Sequence, residues 1–140
     1  MTRSTAVIGY LSLLFLCCPT IVQAEGLKLL TESKYFNVGA ALTPTGKSAE
    51  LESLERIVQE KEGDRKLLEL LEAKSQIAQL YALCGLLRIK SAETTSIAKK
   101  LAAQTVEINE LQGCIPVKRS VSDVVKDLIN NRYAACAPAE

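Results

Sequence analysis

Cys84, Cys114 and Cys136 are the side chains in this sequence with the most definite chemistry open to them. Three thiols allow three single bridges, each leaving one cysteine over. Cys84 falls on an apolar helical stripe. Cys114 follows a glycine in a crossing segment that must pack back against the core. This placement favours a Cys84–Cys114 bridge, closing a loop of about 30 residues and stabilising by about 3–4 kcal/mol on the chain-entropy account. Cys136, close to the C-terminus, has few apolar neighbours to direct it and is expected to be free or to join two chains. The competing reading makes Cys84 a plain core residue, since an unbridged cysteine behaves as a small hydrophobe.

Beyond the thiols, the chemistry narrows quickly. The chain has no histidine, which removes Ser–His and Cys–His nucleophile pairs, imidazole metal sites and histidine acid–base catalysis. No C-x2-C spacing prepares a zinc site. Neither a metal nor a cofactor is expected. Glu50, Glu52, Glu55, Glu60, Glu62, Glu69 and Glu72 are interleaved with Arg56, Lys61, Arg65 and Lys66. That mixture reads as solvated helix faces, whereas carboxylate catalysis needs two such groups facing each other across a cleft. Gly113 stands alone and cannot build a phosphate loop. No catalytic residue is assigned, and the chain reads as non-enzymatic.

The elements that must position these residues are mostly helical. Residues 25–47 lack a sustained period and read as an irregular N-terminal segment, with a short extended piece at 34–38. Ser48 suits an N-cap, with Glu50 and Glu52 in the first turn. Leu51, Leu54, Ile57 and Val58 follow at helical spacing, and Gly63 ends that run. Asp64 suits the cap of a short helix over 65–73. Ser75 opens the most apolar helix, 76–89, where Leu80, Tyr81, Leu83, Cys84 and Leu87 are expected at the centre of the core. Gly85 inside it costs about 1 kcal/mol relative to Ala, which marks a close approach by another helix. A fourth helix begins at Ser91 or Ala92, with Ile97, Ala98, Leu101 and Ala102 on one face. Residues 106–108 alternate like a strand, and Ile115 and Val117 allow another short one. Ser120 or Ser122 caps a last helix carrying Val121, Val124, Val125, Leu128 and Ile129. Asn130 and Asn131 suit its C-terminus. The predicted fold is mainly all-α, a small helical bundle or stacked helical hairpins with one or two very short strands. The helical domain covers 48–133 and a flexible tail covers 134–140.

The N-terminus assigns a compartment. Arg3 supplies a positive charge, residues 6–18 are an uncharged apolar run, and Ala24 precedes Glu25. This is the layout of a secretory signal peptide over 1–24. The apolar run is shorter than the roughly 17–25 residues of a membrane span, so no transmembrane segment is expected after cleavage. Lipidation at Cys17 or Cys18 is disfavoured because Leu16 and Cys17 precede them. Removing 24 residues from 140 leaves 116, with all 16 acidic and 16 of the 17 basic residues. The near-zero balance lacks the basic excess of nucleic-acid or anionic-membrane binders.

The order Phe36-Asn37-Val38-Gly39, Ser48-Ala49-Glu50, Gln79-Leu80-Tyr81-Ala82-Leu83-Cys84-Gly85-Leu86 and Gly113-Cys114-Ile115 resembles a group of small secreted bacterial proteins of unassigned function. The resemblance implies a bacterial envelope or extracellular setting and brings no active site. The expected function is therefore an exported interaction protein whose partner is another protein, bound through a helix groove or face. The alternatives are binding of a small apolar ligand between helices and a small carboxylate-based enzyme. The sequence leaves the oligomeric state open. Mass spectrometry of the exported protein should find Glu25 at its N-terminus. An intact Met1, or a lipid on Cys18, would overturn the export assignment.

Overall fold

A computed structural model of the chain describes residues 19–41 and 43–140, with side chains from residue 24 onward. The apolar run 6–18, with Cys17 and Cys18, lies outside the described residues. Among the described residues, no helix is long and apolar enough to cross a membrane.

The chain forms α1 (Pro19–Glu32), α2 (Ala49–Gln59), α3 (Gly63–Leu71), α4 (Gln76–Arg88), α5 (Thr94–Ala102), β1 (Glu107–Gln112), β2 (Ile115–Ser120) and α6 (Val121–Ile129). A single 3-10 turn follows at Ala134–Cys136. The fold is mainly helical with one small antiparallel sheet.

Helix α1 corrects the reading of 25–47 as irregular throughout, because residues 25–32 are helical. Gly26 lies inside this helix. Its missing Cβ would sit 3.7 Å from the Ser53 Cβ, so it is a small residue where α1 meets α2. Leu30 is buried and Leu27 partly so. Both docking leucines lie beyond the expected cut after Ala24. Residues 33–41 and 43–47 are irregular, with a tight turn closed by Gly46 N–H donating to Thr43 O at 3.0 Å.

Three serines start three helices as the sequence pattern requires. Ser48, Ser75 and Ser120 accept from the backbone N–H of Leu51, Ala78 and Asp123 respectively. The hydroxyl of Ser48 also donates to Asn37 O at 2.9 Å, pinning the irregular segment to the start of α2. Glu55 holds α2 against α4 through Arg88 Nη1 at 3.3 Å and takes Lys47 Nζ at 2.7 Å. The Lys47 hydrogen bond, opposed by burial and helped by Arg88, lowers the Glu55 pKa below 4.5. This tie is therefore complete above about pH 4.5 and is lost as pH falls through the lower folded value.

Helix α3 begins two residues before the expected 65, at Gly63, and Glu62 rather than Asp64 precedes it. Gly63 does not end α2, which stops at Gln59, but opens α3. A Cβ there would lie 2.1 Å from Ile57 O, so only glycine permits the tight α2–α3 link. Helix α4 is the centre, touching α1, α2, α3, α5, α6 and the 3-10 turn. Leu80, Tyr81, Leu83 and Cys84 are fully buried, as expected. Leu87 is only half-buried, and Leu86 takes the full burial instead. The last turn of α4 faces α5 and α6, where small Ala98 and Ala102 leave an open groove beside Leu87 and half-exposed Ile129. The strand-like alternation at 106–108 develops into β1, and β2 contains Ile115 and Val117. Asn131 takes the left-handed conformation after α6 (φ 54°), and Lys90 does the same after α4. The tail is ordered through the 3-10 turn, correcting its reading as flexible from 134.

Gly85 meets two helices at once. A Cβ at this position would lie 2.5 and 2.9 Å from the two Leu67 methyls and 3.1 Å from Leu54 Cδ1. Both leucines are fully buried and have little room to yield. Gly85→Ala should therefore lose about 1–2 kcal/mol in urea unfolding, overpacking outweighing the gain in helix propensity. Unchanged or increased stability would show that Leu67 can give way.

Candidate interaction surface

Period-2 alternation brings Ile108 and Glu110 of β1 inward and leaves Glu107 and Asn109 exposed. A carboxylate at an inward position needs partners, because burying an unpaired charge costs several kcal/mol. Glu110 is 4% exposed and is fully engaged. Tyr133 Oη donates to its Oε1 at 2.5 Å, and Arg119 Nη1 donates to its Oε2 at 3.1 Å. Arg119 stands on β2 opposite Ile108. It also donates to Tyr133 Oη at 3.1 Å and, through Nη2, to Asp127 Oδ2 of α6 at 2.7 Å. Four elements therefore meet at the hairpin base: β1, β2, α6 and the C-terminal segment.

The electrostatics fix the protonation states of this cluster. Burial, followed by the Glu110 carboxylate beside it, pushes the Tyr133 phenol well above its ordinary range, so it remains a donor. Burial alone would weaken proton binding at Arg119. The bonds to Asp127 and Glu110 more than offset that, and its pKa is raised. Glu110 and Asp127 are carboxylates brought close together by the fold, but the same guanidinium occupies both. Among the described residues, no group of three Cys, Asp or Glu side chains gathers around a common point.

Aromatic contacts extend the anchor into the core. Tyr133 meets Phe36 edge-on at 5.7 Å, and Phe36 lies 5.1 Å from the Tyr81 ring. Tyr81 Oη accepts from Asn37 N–H at 2.8 Å and donates to Tyr35 O at 3.0 Å. Phe36 itself bridges β1, accepting from Leu111 N–H at 3.0 Å and donating to Asn109 O at 2.9 Å.

At the other end the hairpin leaves the body of the protein. Gln112 pairs with Ile115, so Gly113 and Cys114 form a two-residue turn. Gly113 has φ +66° and Cys114 does not have a positive φ. That combination belongs to a type II′ turn, which needs glycine at its first central position. Ile115, Val117 and Arg119 share the face of Gln112, Glu110 and Ile108. This face is core at the base, half-covered at Val117 and open at the tip, where Ile115 is 67% exposed.

The cysteines are not paired as the sequence reading had them. Cys84 is bonded to Cys136, and Cys114 is the free, exposed thiol. The reason lies in two elements. The two-residue turn carries Cys114 away from α4, while Tyr133 and the 3-10 turn bring Cys136 onto α4, where it is 1% exposed. Glu110, Arg119 and Tyr133 went unassigned in the sequence, although a charge two residues from Ile108 in an alternating stretch is a sign of a buried partner. No protein-family model, curated protein or solved structure matches the chain.

Among the described cysteines, a maleimide should modify Cys114 in the native protein and leave Cys84 and Cys136 untouched. A non-reducing digest should yield a Cys84–Cys136 peptide. Recovery of a Cys84–Cys114 peptide would overturn this pairing.

Proposed function

We propose that this is an exported, non-enzymatic interaction protein of the bacterial envelope or extracellular space, and that it meets its protein partner at the tip of the β1–β2 hairpin. The observation that carries the reading is Ile115, two-thirds exposed at the end of a sheet face that is core at its base. Large side chains on a rigid support are good anchors, because little conformational freedom is lost when they are covered. Half-covered Val117 extends the apolar surface on the same face.

Two further observations support the setting. The disulfide fits an oxidising compartment. The signal-like layout of residues 1–24 and the resemblance to small secreted bacterial proteins favour the same assignment. The Glu110–Arg119–Asp127 cluster favours a structural role over a catalytic one, since its donors and acceptors are used on one another.

Site-specific photo-crosslinking in the native cells tests the proposal. A photoreactive residue at 115 should label one predominant protein, and the same residue at exposed Lys61 should not. Ile115→Asp should abolish recovery of that partner without lowering the melting temperature. Equal labelling from both positions, or none from 115, would remove the hairpin tip as the docking element.

A further inference from the structure

Helix α4 is apolar almost throughout, yet Gln79 sits in its second turn beside a cleft between α3, α4 and α5. The Gln79 side chain is held in place. Its Nε2 donates to Ala73 O at 2.9 Å, leaving Oε1 to accept from Gln104 Nε2 at 3.5 Å. Gln104 keeps a second N–H and its carbonyl oxygen without a side-chain partner among the described residues. Leu71, Ile97 and Leu101 supply an apolar lining.

Two charges of opposite sign also line this cleft, Glu72 and Lys100. Neither takes part in an ion pair among the described residues. The cleft therefore offers a cation with an amide donor, an anion, and an apolar surface. Its volume is about 320 Å³, at the small end of the roughly 300–1,000 Å³ typical of ligand sites. That suits a molecule the size of one residue. Glu72 and Lys100 are exposed and stay hydrated, so an occupant is selected by charge complementarity: one carrying both charges matches both side chains, whereas an apolar or singly charged one matches neither or only one of them.

We infer that this cleft binds a small zwitterion with an apolar side chain, of the class of apolar α-amino acids. The ligand carboxylate meets Lys100 and the spare Gln104 N–H, its ammonium meets Glu72, and its side chain lies on Leu71, Ile97 and Leu101. None of these residues belongs to the hairpin, so this inference and the hairpin-tip proposal stand or fall separately.

NMR titration of the mature protein with L-leucine tests it. Saturable shifts should appear at the side-chain amides of Gln79 and Gln104. L-Leucinamide lacks the carboxylate and 4-methylpentanoate lacks the ammonium, so each should bind about tenfold more weakly. Lys100→Ala should weaken L-leucine by about tenfold while scarcely changing L-leucinamide, and Glu72→Gln should spare 4-methylpentanoate in the same way. Both substitutions are at exposed positions and should leave the fold intact. The inference is overturned if both analogues bind as well as L-leucine, or if no shift saturates below about 10 mM.

Discussion

Between Leu80 and Leu86, seven consecutive residues of α4 are buried, which is close to two full turns at 3.6 residues per turn. Burial around the whole circumference is possible only if neighbours approach from every side, and they do so from α1, α2, α3, α5, α6 and the C-terminal turn. The close approach at Gly85 is part of this arrangement. Burying Leu80, Leu83 and Leu86 is worth roughly 1.5–3 kcal/mol each. Those contributions outweigh the roughly 1 kcal/mol that glycine costs inside a helix. A larger residue at 85 would hold Leu54 and Leu67 off α4 and weaken the contact that the whole arrangement serves.

The same enclosure decides which cysteine can reach Cys84. That sulfur lies inside the buried run, so its partner must itself be carried into the core. A segment that ends in a tight turn pointing outward cannot do this, whereas the chain after α6 can. Closing 52 residues of separation stabilises by about 4 kcal/mol on the chain-entropy account. Against a total of about 5–15 kcal/mol for a domain, this is a substantial share. The C-terminal segment is therefore held covalently to α4 and polarly, through Tyr133, to Glu110 of β1. The bond that completes the core also braces the hairpin.

Local signals in the sequence were legible where local physics decides the outcome. Ser48, Ser75 and Ser120 start their helices because a cap needs only its own side chain and the next turn. The centrality of α4 followed from its composition alone. Leu87 was misjudged because its burial depends on the size of residues contributed by α5 and α6, which periodicity does not report. Helix α1 was hidden by Gly26, a residue that looks like a break unless the adjacent Ser53 is known. The hairpin base was the least legible part. Glu110, Arg119, Asp127 and Tyr133 span 23 positions on four different elements, and nothing local to any one of them names the others.

The hairpin presents its two resources, backbone and side chains, very differently. Asn109 and Leu111 turn their backbone groups away from β2, as their bonds to Phe36 show. Their partners Lys118 and Pro116 must then turn theirs toward the free edge of β2. Pro116 has no N–H to offer, and Lys118 places a charge along that edge. Both features discourage another strand from adding to the sheet. The opposite edge is already taken at Phe36. Exposed backbone is an unselective template, since any extended chain can pair with it. Apolar side chains on a braced turn are selective, since only a surface of matching shape can cover them. With its edges blunted and Ile115 exposed, the hairpin is suited to recognition through side chains at its tip.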